Sequence, residues 1–161
     1  MILGMTTFTF VHVALSLIGI LTGLIVALGL LASVRLDSLT AIFLLTTALT
    51  SITGFLFPFR GVTPGIVIGI LSVVTLAIAI LARYGRKLAG PWRWIYAVTA
   101  MISLYLNVFV LIVQLFEKVP ALRALAPTKT EPPFKMTQLA ALIVFFVWTI
   151  FAAVRFRPAA D

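Results

Sequence analysis

Apolar stretches long enough to cross a bilayer alternate with short polar breaks along the 161 residues. A helical span needs about 20 predominantly apolar residues. Five runs qualify, at about 8–34, 39–58, 64–83, 92–116 and 137–154. The first is much longer than the apolar core of a signal peptide and has no clear cleavage site, so it is expected to stay as a span. The break Arg35-Leu36-Asp37-Ser38 separates it from the second run, which ends at Pro58. Pro64 stands in the first turn of the third run, where a missing N–H does no harm. Gly90-Pro91 precedes the fourth. The pattern predicts an all-α integral membrane bundle of five transmembrane helices, with residues 1–161 forming a single transmembrane domain.

Short connections make successive helices antiparallel neighbours. The exception is the extramembrane loop 117–136, which holds four prolines and both signs of charge. A short interfacial helix is expected at 120–125, with Pro120 at its start and Leu122 and Leu125 toward lipid. Pro132-Pro133 is expected to be extended. No internal repeat indicates the inverted halves of a transporter.

Composition sharpens the class. Hydrophobic residues make up 63% and charged residues 10%, against roughly a quarter charged in ordinary soluble domains. The absence of cysteine excludes disulfides, thiol catalysis and iron–sulfur clusters. The formal charge of +8 lies at the ends of apolar runs, where headgroups and topology account for it and nucleic acid does not.

Counting Lys and Arg on each side sets an orientation. Arg35, Arg83, Arg86, Lys87, Arg93, Arg155 and Arg157 fall on one side, most of them tight against span ends. Arg60, Lys118, Arg123, Lys129 and Lys135 fall on the other, where Glu117 and Glu131 dilute them. The positive-inside rule then puts the N-terminus outside and the C-terminus in the cytoplasm, with Trp92 and Trp94 in the inner interface belt.

Small and polar residues pick out helix faces. His12, Ser16, Gly19 and Gly23 share one face of the first span, and Ala27 extends it. Gly19 and Gly23 form a small-xxx-small pair, repeated in the third span by Gly65 and Gly69, and such pairs let helix backbones approach closely. Packing within the chain is the default reading, and a seam between two copies the sharper one. The second span carries Thr46, Thr47, Thr50, Ser51 and Thr53, whose hydroxyls can bond their own helix's carbonyls. The fourth span places Ser103, Asn107 and Gln114 on a single face, which must look inward because amides are costly in hydrocarbon unless paired.

Depth counting brings His12, Thr50, Thr53, Asn107, Gln114 and Gln138 into the outer half as a candidate ligand-binding pocket, with the inner half nearly all apolar. His12 is expected to be a hydrogen-bond hub turned toward the fourth span, within reach of Gln114 or a hydroxyl. No cofactor is expected: bis-histidine haem needs two histidines and the chain has one. No metal site is expected either, since several convergent ligands are lacking. No nucleophile–base–acid set, HExxH or phosphate loop accompanies the cluster, so no catalytic residue is assigned.

With its five apolar runs and short loops the chain resembles, in general type, small bacterial inner-membrane proteins of four or five spans. That resemblance implies an inner-membrane location and carries over no functional residue. The leading expectation is a non-enzymatic membrane protein with an outer-leaflet polar pocket, binding a small lipophilic ligand or docking onto a larger membrane complex. An oligomeric transporter or channel is the alternative, and a haem- or quinone-binding redox subunit the third. The expected partners are membrane lipids, a second copy of the chain or a larger complex, and no nucleic acid.

Overall fold

The computed structural model describes residues 6–58 and 64–158. Arg60, counted above on the outer side, lies outside the described residues. The chain is all-helical: α1 Thr7–Leu31, α2 Asp37–Gly54, α3 Pro64–Ile80 continued by a π-helical turn Leu81–Gly85, α4 Trp92–Lys118, α5 Pro120–Leu125 and α6 Pro132–Arg155. Five of these helices, counting α3 with its π turn, are long and apolar enough to span a membrane. Large apolar side chains such as Leu21, Leu45, Ile70, Phe146 and Val154 are exposed on the outside of the bundle. Continuous apolar exposure of that kind belongs in lipid, not in water.

Local chemistry explains the ends. Thr6 caps α1, its hydroxyl accepting the Thr9 N–H at 3.2 Å. At the other end Ser33 takes a left-handed conformation, φ 58°. Its N–H bonds Leu30 O at 3.2 Å, and Val34 N–H bonds Gly29 O at 2.9 Å. This is a Schellman closure built on serine in place of the usual glycine. α3 ends differently, with Arg86 N–H reaching back five residues to Leu81 O at 2.8 Å, a π turn that carries Arg83 into the bundle.

α5 forms where expected. The Pro132-Pro133 stretch does not stay extended: both prolines occupy the first turn of α6, which starts five residues earlier than the sequence suggested. The first helical N–H groups have no intrahelical acceptor, so neither proline forfeits a bond. Glu131 before them is extended, φ −74° and ψ 156°, as a residue preceding proline prefers.

α4 is the central helix, touching α1, α2, α3, α5 and α6, while α3, α2, α1 and α6 follow one another around it. The arc is open between α3 and α6, which make no comparable contact. The core runs along α4 through Tyr96, Ala97, Ala100, Met101 and Leu104, against Val26, Ala27 and Leu30 of α1, Phe43 and Leu44 of α2, Leu76 and Ala79 of α3, and Phe145 and Ala152 of α6.

Candidate functional site

The small face of α1 sets the geometry. A Cβ on Gly19 would stand 2.8 Å from Thr47 Oγ1, 3.1 Å from Thr46 Oγ1 and 3.3 Å from Asn107 Nδ2. On Gly23 it would stand 2.6 Å from Leu104 and 2.8 Å from Phe43. The face meets α2 and α4 within one chain, so it is not free to act as a seam between copies. Gly69 packs against the Phe55 ring, where a Cβ would approach to 2.9 Å. Its partner in the pattern, Gly65, is exposed at the start of α3, so the third-span pair brings together no two helix backbones.

That close approach draws four polar side chains into two linked pairs. Ser16 Oγ donates to Asn107 Oδ1 at 2.8 Å. One turn nearer the start of α1, His12 Nδ1 lies 2.8 Å from Thr53 Oγ1. The single proton of Thr53 goes to Leu49 O at 2.7 Å, so the hydroxyl accepts from His12. The imidazole therefore carries its proton on Nδ1 and leaves Nε2 as the acceptor. Phe57 meets the imidazole edge-on at 5.0 Å and Phe8 packs on Phe57 at 5.0 Å, covering this end of α1.

Two expectations need correction here. The His12 ring does find the hydroxyl expected within its reach, Thr53, but this stands on α2 where α4 was expected. Gln114, expected beside it, is exposed. The Ser16–Asn107 bond fixes the register of these antiparallel helices, and four residues outward from each pairs His12 with the level of Leu111. Gln114 stands three residues beyond that level, about 4.5 Å at 1.5 Å per residue, and is exposed.

Thr50 donates to Thr46 O at 2.8 Å on its own helix and is only partly buried. Gln138 is buried but belongs elsewhere, its Nε2 donating to Phe109 O at 3.2 Å across the α4–α6 contact. Ser103, on the same sequence face as Asn107, turns instead toward α3, 2.9 Å from Thr75 Oγ1. The structure thus assembles His12, Thr53, Ser16 and Asn107, adds Thr46 and Thr47 to them, and leaves Gln114 and Gln138 apart.

Within this layer two polar atoms are fully buried without a partner: Thr47 Oγ1 and Asn107 Nδ2. Each such atom costs about 1–3 kcal/mol. Thr47 is the exception in the hydroxyl run, since Thr46, Thr50, Ser51 and Thr53 all donate to their own helix. Among the described residues no group of His, Cys, Asp and Glu could hold a metal ion.

The end of the bundle opposite His12 is not the apolar half expected from the sequence. Arg83 is buried, 5% exposed, and its guanidinium forms an ion pair with Asp37 at the start of α2. It stands 5.2 Å from the centre of the Tyr96 ring, close enough for a cation–π contact. The Tyr96 hydroxyl itself is buried there without a hydrogen-bond partner. Arg35 Nε approaches the same carboxylate at 3.6 Å. The sequence signal was a small one: Asp37 is the one acid on that side among the described residues, set against several cations.

The loop between α4 and α6 is tied down by its own contacts. The Glu131 carboxylate accepts from Thr128 N–H at 3.1 Å, Thr128 Oγ1 at 2.8 Å and Thr130 N–H at 3.0 Å. The Thr128 hydrogen bond, first among these, holds the Glu131 carboxyl below its ordinary pKa. Phe134 packs on Phe116 at 5.4 Å. Comparison with family models, curated proteins and solved structures finds no match for this chain.

Proposed function

We propose that this chain is a non-enzymatic integral membrane protein that holds a small lipophilic ligand in the layer formed by α1, α2 and α4. The observation that carries the reading is the pair of buried, unpartnered groups Thr47 Oγ1 and Asn107 Nδ2 beside Gly19. Asn107 Nδ2 is a donor and the threonine hydroxyl can donate as well, so the ligand that fits them brings an acceptor oxygen. His12 and Thr53, one turn outward and only partly buried, stand at the way in. Entry requires α1 and α2 to part at the Phe8–Phe57 contact, since the two unpartnered atoms are closed from outside in the resting arrangement.

The same reading places the N-terminus outside and the C-terminus in the cytoplasm of a bacterial inner membrane, on the strength of the cation count and the arginine-rich turn after α3.

The test is organic extraction of protein purified in mild detergent, with mass spectrometry of the extract. Wild type should retain a compound that Asn107→Leu and His12→Phe both lose while keeping their helical content. Identical extracts from all three, containing only bulk lipid, would overturn the proposal.

A further inference from the structure

A second site lies in the loop, independent of the layer just described. A cavity of about 460 Å³ is lined by Phe116, Glu117, Lys118, Arg123, Pro127 and Lys129. Three cations and one carboxylate thus share its lining. Lys129 Nζ reaches Glu117 at 3.2 Å and Lys118 Nζ reaches it at 3.8 Å. Arg123 has no acidic partner among the described residues. The cavity therefore holds a net positive charge of two, three less one, with a free guanidinium at its wall.

Its frame is ordered by several contacts. Lys129 adopts a left-handed backbone, φ 60°, inside the turn that Glu131 closes with Thr128 and Thr130. Phe116 forms the floor, fixed by Phe134. Ala126 is fully buried and anchors the chain between α5 and the turn.

The flanking surface tells what kind of anion fits. Val119 and Leu125, at the two ends of α5, are exposed apolar side chains on a six-residue helix with no buried residue. A helix of this kind lies in the interface with its apolar side in the acyl region and its cations at headgroup level. We infer that the cavity binds the phosphate of an anionic phospholipid headgroup, with Arg123, Lys118 and Lys129 as its cations and Glu117 as the internal counter-charge that limits affinity. Arginine suits this role because its planar fork can meet two phosphate oxygens at once.

The counter-charge gives the test two directions. The purified full chain is titrated in detergent with short-chain phosphatidylglycerol, with phosphatidylcholine of equal chain length, and with inorganic phosphate as competitor. Arg123→Gln should weaken phosphatidylglycerol binding about fivefold, the effect of one cation near an anionic surface. Glu117→Gln should strengthen it by a similar factor, because the carboxylate no longer competes for Lys129. Arg86→Gln, at the opposite end of the bundle, should change nothing. Equal affinity for the two lipids, a loss from Arg86→Gln matching that from Arg123→Gln, or weaker binding after Glu117→Gln would each overturn the inference. Displacement of the lipid by millimolar inorganic phosphate would overturn the lipid as source and mark a site for free anions. Thermal melts of the variants should match wild type, since Arg123 and Glu117 are exposed.

Discussion

Arg83 and Asp37, 46 residues apart in sequence, form an ion pair in which the two partners stand in opposite surroundings. The guanidinium side chain is 3% exposed and the carboxylate side chain 67% exposed. The cation is the buried partner, so the carboxylate matters chiefly as what allows Arg83 to stay inside.

Removing the carboxylate should therefore cost more than an exposed acid ordinarily does. Losing one partner of a fully buried pair costs about 3–5 kcal/mol, and the exposure of Asp37 lowers the expectation for Asp37→Asn to about 1–3 kcal/mol. Arg83→Met combined with Asp37→Asn should recover part of that loss, because no uncompensated cation remains. Thermal unfolding in detergent reads both. A double variant as unstable as the sum of its singles would show that the two residues act apart.

Gly19→Leu and Gly23→Leu should each destabilise the bundle by about 1–3 kcal/mol through overpacking. At Gly19 the added atoms meet Thr47 and Asn107, and at Gly23 they meet Leu104 and Phe43. An unchanged melting temperature for either would mean that α1 can shift there at no cost. Gly65→Leu, at an exposed position, should be tolerated.

The His12 tautomer is open to direct observation. With Thr53 spending its proton on Leu49 O, nitrogen chemical shifts should show His12 protonated at Nδ1 and bare at Nε2. Thr53→Val should abolish that preference. Protonation at Nε2 in the wild type would mean that Thr53 donates to the ring and releases its own helix.

Orientation can be read with a single cysteine. Thr130 is exposed in the loop between α5 and α6, and the chain has no native cysteine. Thr130→Cys should react with an impermeant thiol reagent in intact cells. Reaction only after lysis would reverse the assignment.

The Glu131 turn should depend on pH in one direction. Because folding lowers the pKa of this carboxyl, its contribution is complete above the ordinary glutamate value and fades as pH falls through the lowered one. Protection of the Thr128 and Thr130 amides, taken as measured exchange relative to the intrinsic rate at each pH, should fall only on that acid side. Loss of protection that begins near neutral pH would place the cause elsewhere.

The spans, the short helix at Pro120–Leu125 and the inward small face of α1 were legible because they follow from length, proline placement and periodicity. His12 and Thr53 met because depth counting along neighbouring helices is accurate to about a turn. Gln114 failed that test by three residues, since its depth depends on a register that only the Ser16–Asn107 contact sets. Arg83 was hidden for another reason. At the end of an apolar run an arginine reads as a topology signal, and only the π turn after Ile80 swings it inward to Asp37. Thr47 looked like any member of its hydroxyl run, and its lack of a partner is visible only in three dimensions.

The central placement of α4 has a bearing on how the chain is built. α1, α2 and α3 are synthesised before it, and they leave the ribosome without the helix that their inward faces require. Ser16 must wait 91 residues for Asn107, whereas Arg83 finds Asp37 on the earlier α2 and gains only the Tyr96 ring from α4. The first three helices are thus an unfinished half-shell, and α4 supplies the surface on which their inward faces close.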